Sequence, residues 1–170
     1  GLVSTYESGL YDEDGRPARA GVLDRALGVR RTRRSAEIGI GYLRNDKAAE
    51  ETAEELRSKD AEPVLVRGNV SSERVVREVA ELGPLRAFVH NAATGVIRPA
   101  LETEDKHWDW TMTANARAFL TLTRAVAPQM PNGASIVAIS SLGSTRVLED
   151  YVLVGTSKAA LESLVRYLAV

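Results

Sequence analysis

From Glu37 onward, short apolar runs alternate with longer amphipathic stretches, and this alternation limits the possible folds. Apolar runs of strand length, separated by helices, are typical of βαβ units. In such units, parallel strands form a doubly wound sheet with helices on both faces. The sequence therefore predicts an α/β fold. We predict strands at residues 37–42, 63–67, 85–90 and 134–139, and helices at 46–59, 71–82, 103–130 (broken near Trp108–Trp110) and 152–169.

The bulk composition excludes several classes of function. A chain of 170 residues suffices for one domain with one core. Its net charge of −1 provides no field that would attract nucleic acid or an anionic membrane. No cysteine is present, which excludes disulfides and thiolate catalysis. The apolar runs are far shorter than the roughly 20 residues of a membrane helix. We therefore predict a cytoplasmic domain with no nucleic-acid or membrane partner.

Ser140 and Ser141 end the last predicted strand, and Tyr151 and Lys158 follow at the start of the last predicted helix. A free tyrosine has a pKa of about 10, and a nearby ammonium group favours its phenolate form. The Tyr151 hydroxyl could then stabilise an oxyanion, with Lys158 supplying the charge. We predict Ser141, Tyr151 and Lys158 as catalytic residues, together with Asn115 in an earlier helix. The alternative is a tyrosine–lysine pair that arises near a helix start by chance.

Small residues follow the predicted strand 85–90 directly, as Asn91, Ala92, Ala93 and, after Thr94, Gly95. At the carboxyl end of a parallel strand, small residues let a nucleotide approach the backbone. The alternative is an ordinary turn after a strand. Asn115 lies in a helix expected to pass under the same cleft. Its amide could kink that helix and hold a water, or could be a satisfied polar group on the helix.

Arg44 follows the predicted strand 37–42, where dinucleotide-binding folds meet the adenosine ribose. A basic residue there accommodates the 2′-phosphate of NADP, whereas an acidic residue selects NAD. Arg44 therefore favours NADPH, although Asp46 is nearby. The isolated His90 and His107 lack the spacing of zinc ligands, so we predict no metal. We interpret His90 as strand packing and His107 as helix surface or substrate-side lining.

Together these segments resemble the short-chain dehydrogenase/reductases, through NAAxG, NARAF, the ISS strand end and the helix YVLVGTSKAALESLVRYLAV. That family usually has S-x12-Y-x3-K, but Val154 occupies the tyrosine position here and Tyr151 gives Y-x6-K. A shift of three residues turns a helix by about 300° and moves about 4.5 Å along it, so Tyr151 stays near the same face. The Y-x6-K spacing is typical of enoyl-acyl-carrier-protein reductases. The stretches ETEDKHWDWTMTANARAF and ISSLGSTRVLEDYVLVGTSKAALE look like the type III enzyme.

The resemblance covers residues 37–170 and implies a partial NAD(P)-binding Rossmann domain. NADPH would deliver hydride to the β-carbon of an enoyl thioester carried by acyl carrier protein or CoA. Tyr151 would hold the enolate, Lys158 would bind the nicotinamide ribose and Asn115 would support the site. Intact relatives are commonly homotetramers. Cofactor contacts carried over by position are Asn69 and Val70 at the adenine, Asn91 and Ala92 at the adenosine ribose, and Ser140 and Ser141 at the nicotinamide.

Two departures from the family keep other functions open. Residues 1–36 do not match the pattern, and the TGxxxGxG turn that places the pyrophosphate at a helix N-terminus is absent. We therefore expect the first strand and the glycine turn to be atypical or missing. The second departure is that the chain stops at Val170 inside a predicted helix, so we expect the same of the C-terminal part. The alternatives are a 3-oxoacyl or other carbonyl reductase of the same family, and a non-catalytic fragment that does not bind the cofactor.

Overall fold

In the described part of the chain, five parallel strands form a single sheet in the order β3-β2-β1-β4-β5. The structure, a computed structural model, describes residues 2–4 and 36–170. The strands are β1 (Leu2–Ser4), β2 (Ala36–Tyr42), β3 (Ala61–Arg67), β4 (Ala87–His90) and β5 (Ser135–Ala138). The helices are α1 (Asp46–Ser58), α2 (Glu73–Glu81), α3 (Asp105–Met112), α4 (Ala118–Val126) and α5 (Val152–Leu168). The strand order reverses between β1 and β4, so the doubly wound α/β fold predicted from the sequence is confirmed.

The short strand β1 holds the central position of the sheet. Leu2 pairs with Gly39 of β2, and Leu2, Val3 and Ser4 pair in register with the last three residues of β4. The first strand was expected to be atypical or missing. It is only three residues long, but it is present and makes the sheet continuous. The expected loss of the glycine turn concerns residues after Ser4 that lie outside the described part of the chain.

The region 103–130 is helical, as predicted, but the predicted position of the break is wrong. Helix α3 runs regularly through Trp108 and Trp110, and the irregularity is a π-helical turn at Thr113–Arg117. The two tryptophans are 46% and 54% exposed, so tertiary packing does not demand a break there. Asn115 in the π-helical turn is completely buried and bonded to neighbouring segments. A side chain engaged in this way can widen a helix locally.

The main core lies between one face of the sheet and helices α2, α4 and α5. Its largest fully buried members include Phe88, Phe119, Val126 and Leu161. The opposite face is covered by α1, whose Ala49 and Ala53 are buried, as is Ile40 of β2. Ile40 pairs with Leu65, so it lies on the other side of the sheet from Val66, which belongs to the main core. Helices therefore cover both faces, as the sequence predicts.

The parallel arrangement brings the residues that follow each strand to one edge of the sheet. Arg44 follows β2, Asn69 follows β3, Asn91 follows β4 and Ser141 follows β5. In doubly wound folds, ligands bind outside the carboxyl ends of the strands, where the strand order reverses. This edge is the region where functional residues are expected.

We predict that Leu161→Ala destabilises the chain by about 2–5 kcal/mol, because it leaves a cavity between α5 and the sheet. Leu161 is completely buried, whereas Leu168 on the same helix is 43% exposed. Leu168→Ala is therefore the matched control, with an expected change below about 1 kcal/mol. Urea denaturation followed by circular dichroism measures both values. Equal losses for the two variants would contradict the described position of α5.

Candidate active site

Ser141 and Tyr151 lie side by side at the carboxyl edge of the sheet. The Ser141 Oγ is 3.3 Å from the Tyr151 hydroxyl, and either group can donate the hydrogen bond. Ser141 lies just beyond β5, and Tyr151 is the residue that precedes the first turn of α5. The structure thus brings together two of the four residues that the sequence singled out for catalysis. Their chemical roles stay a prediction.

Two glycines, Gly143 and Gly155, allow Ser141 and Tyr151 to lie side by side. A Cβ atom on Gly143 would lie 2.5 Å from Cδ1 of the Tyr151 ring, and one on Gly155 would lie 2.6 Å from the Gly143 carbonyl oxygen. Real Cβ atoms essentially never come so close to other heavy atoms. The short turn at Leu142–Ser144 can therefore lie directly against the first turn of α5 only because both positions lack a side chain.

Lys158, the third predicted catalytic residue, reaches the end of β5 from inside the protein. It is only 4% exposed, and its Nζ donates a hydrogen bond of 2.7 Å to the carbonyl oxygen of Ile139. Burial lowers the pKa of Lys158 from 10.5 to about 8. Among the described residues, no hydrogen bond joins Lys158 to Tyr151. The lysine charge thus lies at the same strand end as Ser141.

Asn115 links the loop after β4 to α5. Its Oδ1 accepts a hydrogen bond from the Thr94 backbone N–H, and its Nδ2 donates to the Thr94 carbonyl and to the Ser157 hydroxyl, each at 2.8 Å. The amide is thus satisfied by protein groups within a π-helical turn, and the expectation that it holds a water stays a prediction. The sequence did not single out Ser157, the residue directly before Lys158, or Thr94.

The residues after β4 do not all face the cleft. Ala92 is buried, Asn91 and Ala93 are partly exposed, and Gly95 packs against α5. A Cβ atom on Gly95 would lie 2.1 Å from Cγ2 of Val154. Helix packing thus gives Gly95 a structural reason to be glycine, alongside the cofactor contact predicted from the sequence.

Arg44 follows β2 and Asn69 follows β3, and both side chains are exposed at the carboxyl edge of the sheet. The Asn69 side-chain oxygen accepts a hydrogen bond of 2.9 Å from the Ser71 backbone. Asp46, the acid that left doubt about the cofactor, pairs instead with Arg67 at 3.4 Å. Arg67 at the end of β3 was not singled out from the sequence.

The side chain of Val70, the other residue predicted at the adenine, lies in the main core. It is 5% exposed, so only its backbone could face a ligand. The predicted contact between Val70 and an adenine is therefore restricted to the main chain.

The two histidines have different surroundings. His90 is 1% exposed and packs between Phe88 and Phe119, with ring centroids at 6.4 and 5.6 Å, so its interpretation as strand packing is confirmed. His107 is buried, so its interpretation as helix surface is wrong. Its Nδ1 accepts a hydrogen bond from the Glu104 backbone at 3.1 Å and so stabilises the first turn of α3.

Burial, and then the Lys158 ammonium, lower the pKa of His90 from 6.5 to about 4. The carbonyls of Ala114 and Asn115 oppose this shift in part. Neither ring nitrogen of His90 meets the geometry of a hydrogen bond to any of the described residues. His90 is therefore a neutral ring in a mainly apolar site at neutral pH.

Comparison with protein families matches residues 26–170 to the family described as enoyl-(acyl carrier protein) reductase. The chain belongs to this family of short-chain dehydrogenase/reductases. The family assignment made from the sequence motifs is thus confirmed. The matched region begins ahead of residue 37, so the boundary placed there between an atypical N-terminal segment and the Rossmann domain stays a prediction.

Two relatives show how much of a family member this chain represents. It is 33% identical over 153 residues to a 1-cyclohexenylcarbonyl-CoA reductase of Streptomyces collinus, covering 87% of this chain and 55% of the relative. It is 30% identical over 144 residues to the enoyl-acyl-carrier-protein reductase (NADH) FabI of Synechocystis sp., covering 79% and 56%. The chain therefore spans little more than half the length of these relatives.

Solved structures of the family share the fold. A blue fluorescent protein from a metagenomic library, in complex with NADPH, has a TM-score of 0.73 at 27% identity, covering 79% of this chain and 57% of that one. An enoyl-acyl-carrier-protein reductase from Anaplasma phagocytophilum, in complex with NAD, has a TM-score of 0.67 at 26% identity, covering 79% and 54%. These likenesses confirm a nicotinamide-cofactor fold but leave open the choice between NADPH and NADH.

The described part of the chain shows neither a metal cluster nor a membrane span. Within residues 2–4 and 36–170, no group of three or more His, Cys, Asp or Glu side chains could hold a metal ion. None of the helices described there is long and apolar enough to cross a membrane. The predicted absence of a metal site in the whole chain stays a prediction.

We predict that Gly155→Ala lowers the melting temperature, although alanine normally stabilises a helix by about 0.5–1 kcal/mol relative to glycine. The added methyl group would meet the backbone carbonyl of Gly143, which cannot rotate away as a side chain could. Thr156→Ala, at the exposed neighbouring position, is the control and should change stability little. A rise in the melting temperature of Gly155→Ala would show that the turn and α5 are not in contact.

His90 should make the chain less stable in acid. Its pKa in the folded state is below that of an unfolded histidine, so its contribution to stability is complete above pH 6.5 and is lost as the pH falls toward 4. The shift corresponds to about 3 kcal/mol. His90→Phe, with a ring suited to the Phe88–Phe119 site, should flatten the curve of melting temperature against pH in this window. His107→Gln is the control that keeps His90, and identical curves for wild type and His90→Phe would refute the assignment.

Proposed function

We propose that this chain is the NADPH-binding part of an enoyl-thioester reductase, which reduces the 2,3 double bond of a substrate carried by acyl carrier protein or CoA. The observation that carries the proposal is the contact of Ser141 with Tyr151, at the strand end that Lys158 also reaches. This contact gives the Y-x6-K spacing a geometry in which the phenol and the serine can act on the same oxygen atom of a substrate.

The carboxyl edge of the sheet supplies groups that fit a dinucleotide. NADPH, when bound, would supply the hydride for the β-carbon. Lys158 would bind the nicotinamide ribose, with Asn91 and Ala92 along the adenosine ribose. Arg44 would bind the 2′-phosphate, since Asp46 is already paired with Arg67. The partial exposure of Asn91 and the exposure of Arg44 fit these roles.

Tyr151 and Ser141 would handle the charge that develops on the substrate. As the β-carbon is reduced, the thioester carbonyl takes on enolate character, and a hydroxyl donor stabilises the oxygen. Ser141 would keep the phenol oriented through their hydrogen bond. The pKa of Lys158 is about 8, so the amine is mainly protonated at pH 7 and favours negative charge nearby.

The names of the relatives support the substrate class. A cyclohexenylcarbonyl thioester carries its double bond beside the carbonyl, as an enoyl thioester of fatty acid biosynthesis does. The second relative acts on the acyl-carrier-protein form and is named for NADH. Arg44 is therefore the reason for preferring NADPH in this chain. The missing TGxxxGxG motif favours a second candidate, a chain that keeps the site residues but binds nucleotide weakly.

Titration of the purified chain by NADPH fluorescence, with NADH as the comparison, tests the proposal. We expect saturable binding that prefers NADPH, and Arg44→Ala should weaken NADPH binding about tenfold while leaving NADH unchanged. Arg77→Ala, on the exposed side of α2, is the control for loss of a positive charge. Crotonyl-CoA turnover should be lost in Tyr151→Phe. Absence of binding at millimolar NADPH would favour the non-catalytic candidate.

A further inference from the structure

Glu162 connects α5 to the turn that carries Ser141. Glu162 lies one helical turn after Lys158, and its Oε1 accepts hydrogen bonds from the hydroxyls of Ser140 and Ser144, each at 2.5 Å. The two serines stand on either side of Ser141 in the sequence, 22 and 18 residues before Glu162. A single carboxylate therefore holds both ends of the segment Ser140–Ser144.

The groups around Glu162 favour its ionised form. The serine hydroxyls, Ser140 before Ser144, hold the pKa of the carboxyl below its usual value, and Arg166 one turn further along α5 acts in the same direction. Partial burial opposes them. Hydrogen bonds to an ionised acceptor are about twice as strong as those between neutral groups. The carboxylate is thus a strong acceptor for both serines at neutral pH.

The turn does not need Glu162 to keep its own shape. The Ser144 N–H and hydroxyl both lie within hydrogen-bonding distance of the Ser141 carbonyl, at 3.0 and 2.8 Å, and the Gly143 N–H donates to the Ser141 Oγ. The Ser144 hydroxyl has only one proton, so it must choose between the Ser141 carbonyl and Glu162. The bond to Glu162 links the turn to α5, which the bonds within the turn cannot do.

The contact between the turn and α5 is otherwise poor in side chains. Gly143 faces Gly155 and carries no side chain that could insert between the turns of α5, so backbone meets backbone at this point. Leu142 at the start of the turn is 67% exposed. The Ser141–Tyr151 distance of 3.3 Å is already at the long end for a hydrogen bond, and a small slide of the turn would break it.

We propose that Glu162 is a positioning residue, whose carboxylate holds the Ser140–Ser144 turn on α5 and so keeps Ser141 within hydrogen-bonding distance of Tyr151. Glu162 does not touch the reacting atoms. Its effect on turnover rests on the proposed function, whereas its effect on the Tyr151 environment does not.

The first test follows the Tyr151 phenol by NMR, with tyrosine labelled at 13Cζ and the signal assigned from Tyr151→Phe. Glu162→Ala should shift the Tyr151 resonance, and Glu162→Gln, which can still accept hydrogen bonds, should shift it less. Glu149→Gln is the matched control, since Glu149 is an exposed carboxylate between the Ser140–Ser144 turn and α5. An unchanged Tyr151 resonance in Glu162→Ala would overturn the proposal, whether or not the chain is active.

A double-mutant cycle then tests the serine–carboxylate link itself. Glu162→Ala and Ser144→Ala should each lower the melting temperature, and the double variant should lose less than the two shifts added together. Additive shifts would overturn the link. If crotonyl-CoA is turned over, Glu162→Ala should reduce kcat about tenfold with little change in KM, because orientation and not binding is lost. If wild type shows no turnover, the proposed function fails while the NMR and stability results still decide the role of Glu162.

Discussion

The backbone contact between Gly143 and Gly155 is the constraint on which the rest of the candidate site depends. It lets the turn after β5 lie on the first turn of α5 with no side chain between them. The Tyr151 ring then covers Gly143, and its hydroxyl meets Ser141. The Glu162 carboxylate, two helical turns after Gly155, adds hydrogen bonds to Ser140 and Ser144 at the two ends of the turn.

Asn115 imposes a second constraint on the candidate site, through its hydrogen bonds to the loop after β4 and to α5. A fully buried amide without partners would cost several kcal/mol, so its position is dictated by the groups that satisfy it. Those groups are the backbone of Thr94 and the hydroxyl of Ser157. The bonds to Thr94 set the path of the loop after β4, and Ser157 lies beside Lys158 in the sequence. The widened turn at Thr113–Arg117 thus ties the loop and α5 into one unit around the cleft.

The sequence predicts the parts of this arrangement that depend on local pattern. The strands, the helices and the edge at which Ser141, Asn91 and Arg44 gather all follow from apolar periodicity and parallel topology. The contacts of Gly143 and Glu162 do not follow from apolar periodicity or topology. Their partners are far along the chain, and neither residue type indicates a partner. The position of the helix break was wrong for a similar reason: the tryptophans are conspicuous in sequence, but the widening occurs at the buried Asn115. Strand β1 is too short to show any periodicity.

Val154 gives a physical reason why the tyrosine of this chain stands at position 151. Val154 occupies the tyrosine position of the more usual Y-x3-K spacing, and its side chain is 7% exposed and packs tightly against Gly95. Asn115 holds the same loop through its hydrogen bonds to the Thr94 backbone. A larger ring at position 154 would have to point away from this packing or displace the loop. Tyr151, the N-cap residue of α5, contacts Ser141 without disturbing the packing of Val154 against Gly95. In this chain Val154 therefore packs the loop after β4 onto α5, while Tyr151 supplies the hydroxyl beside Ser141.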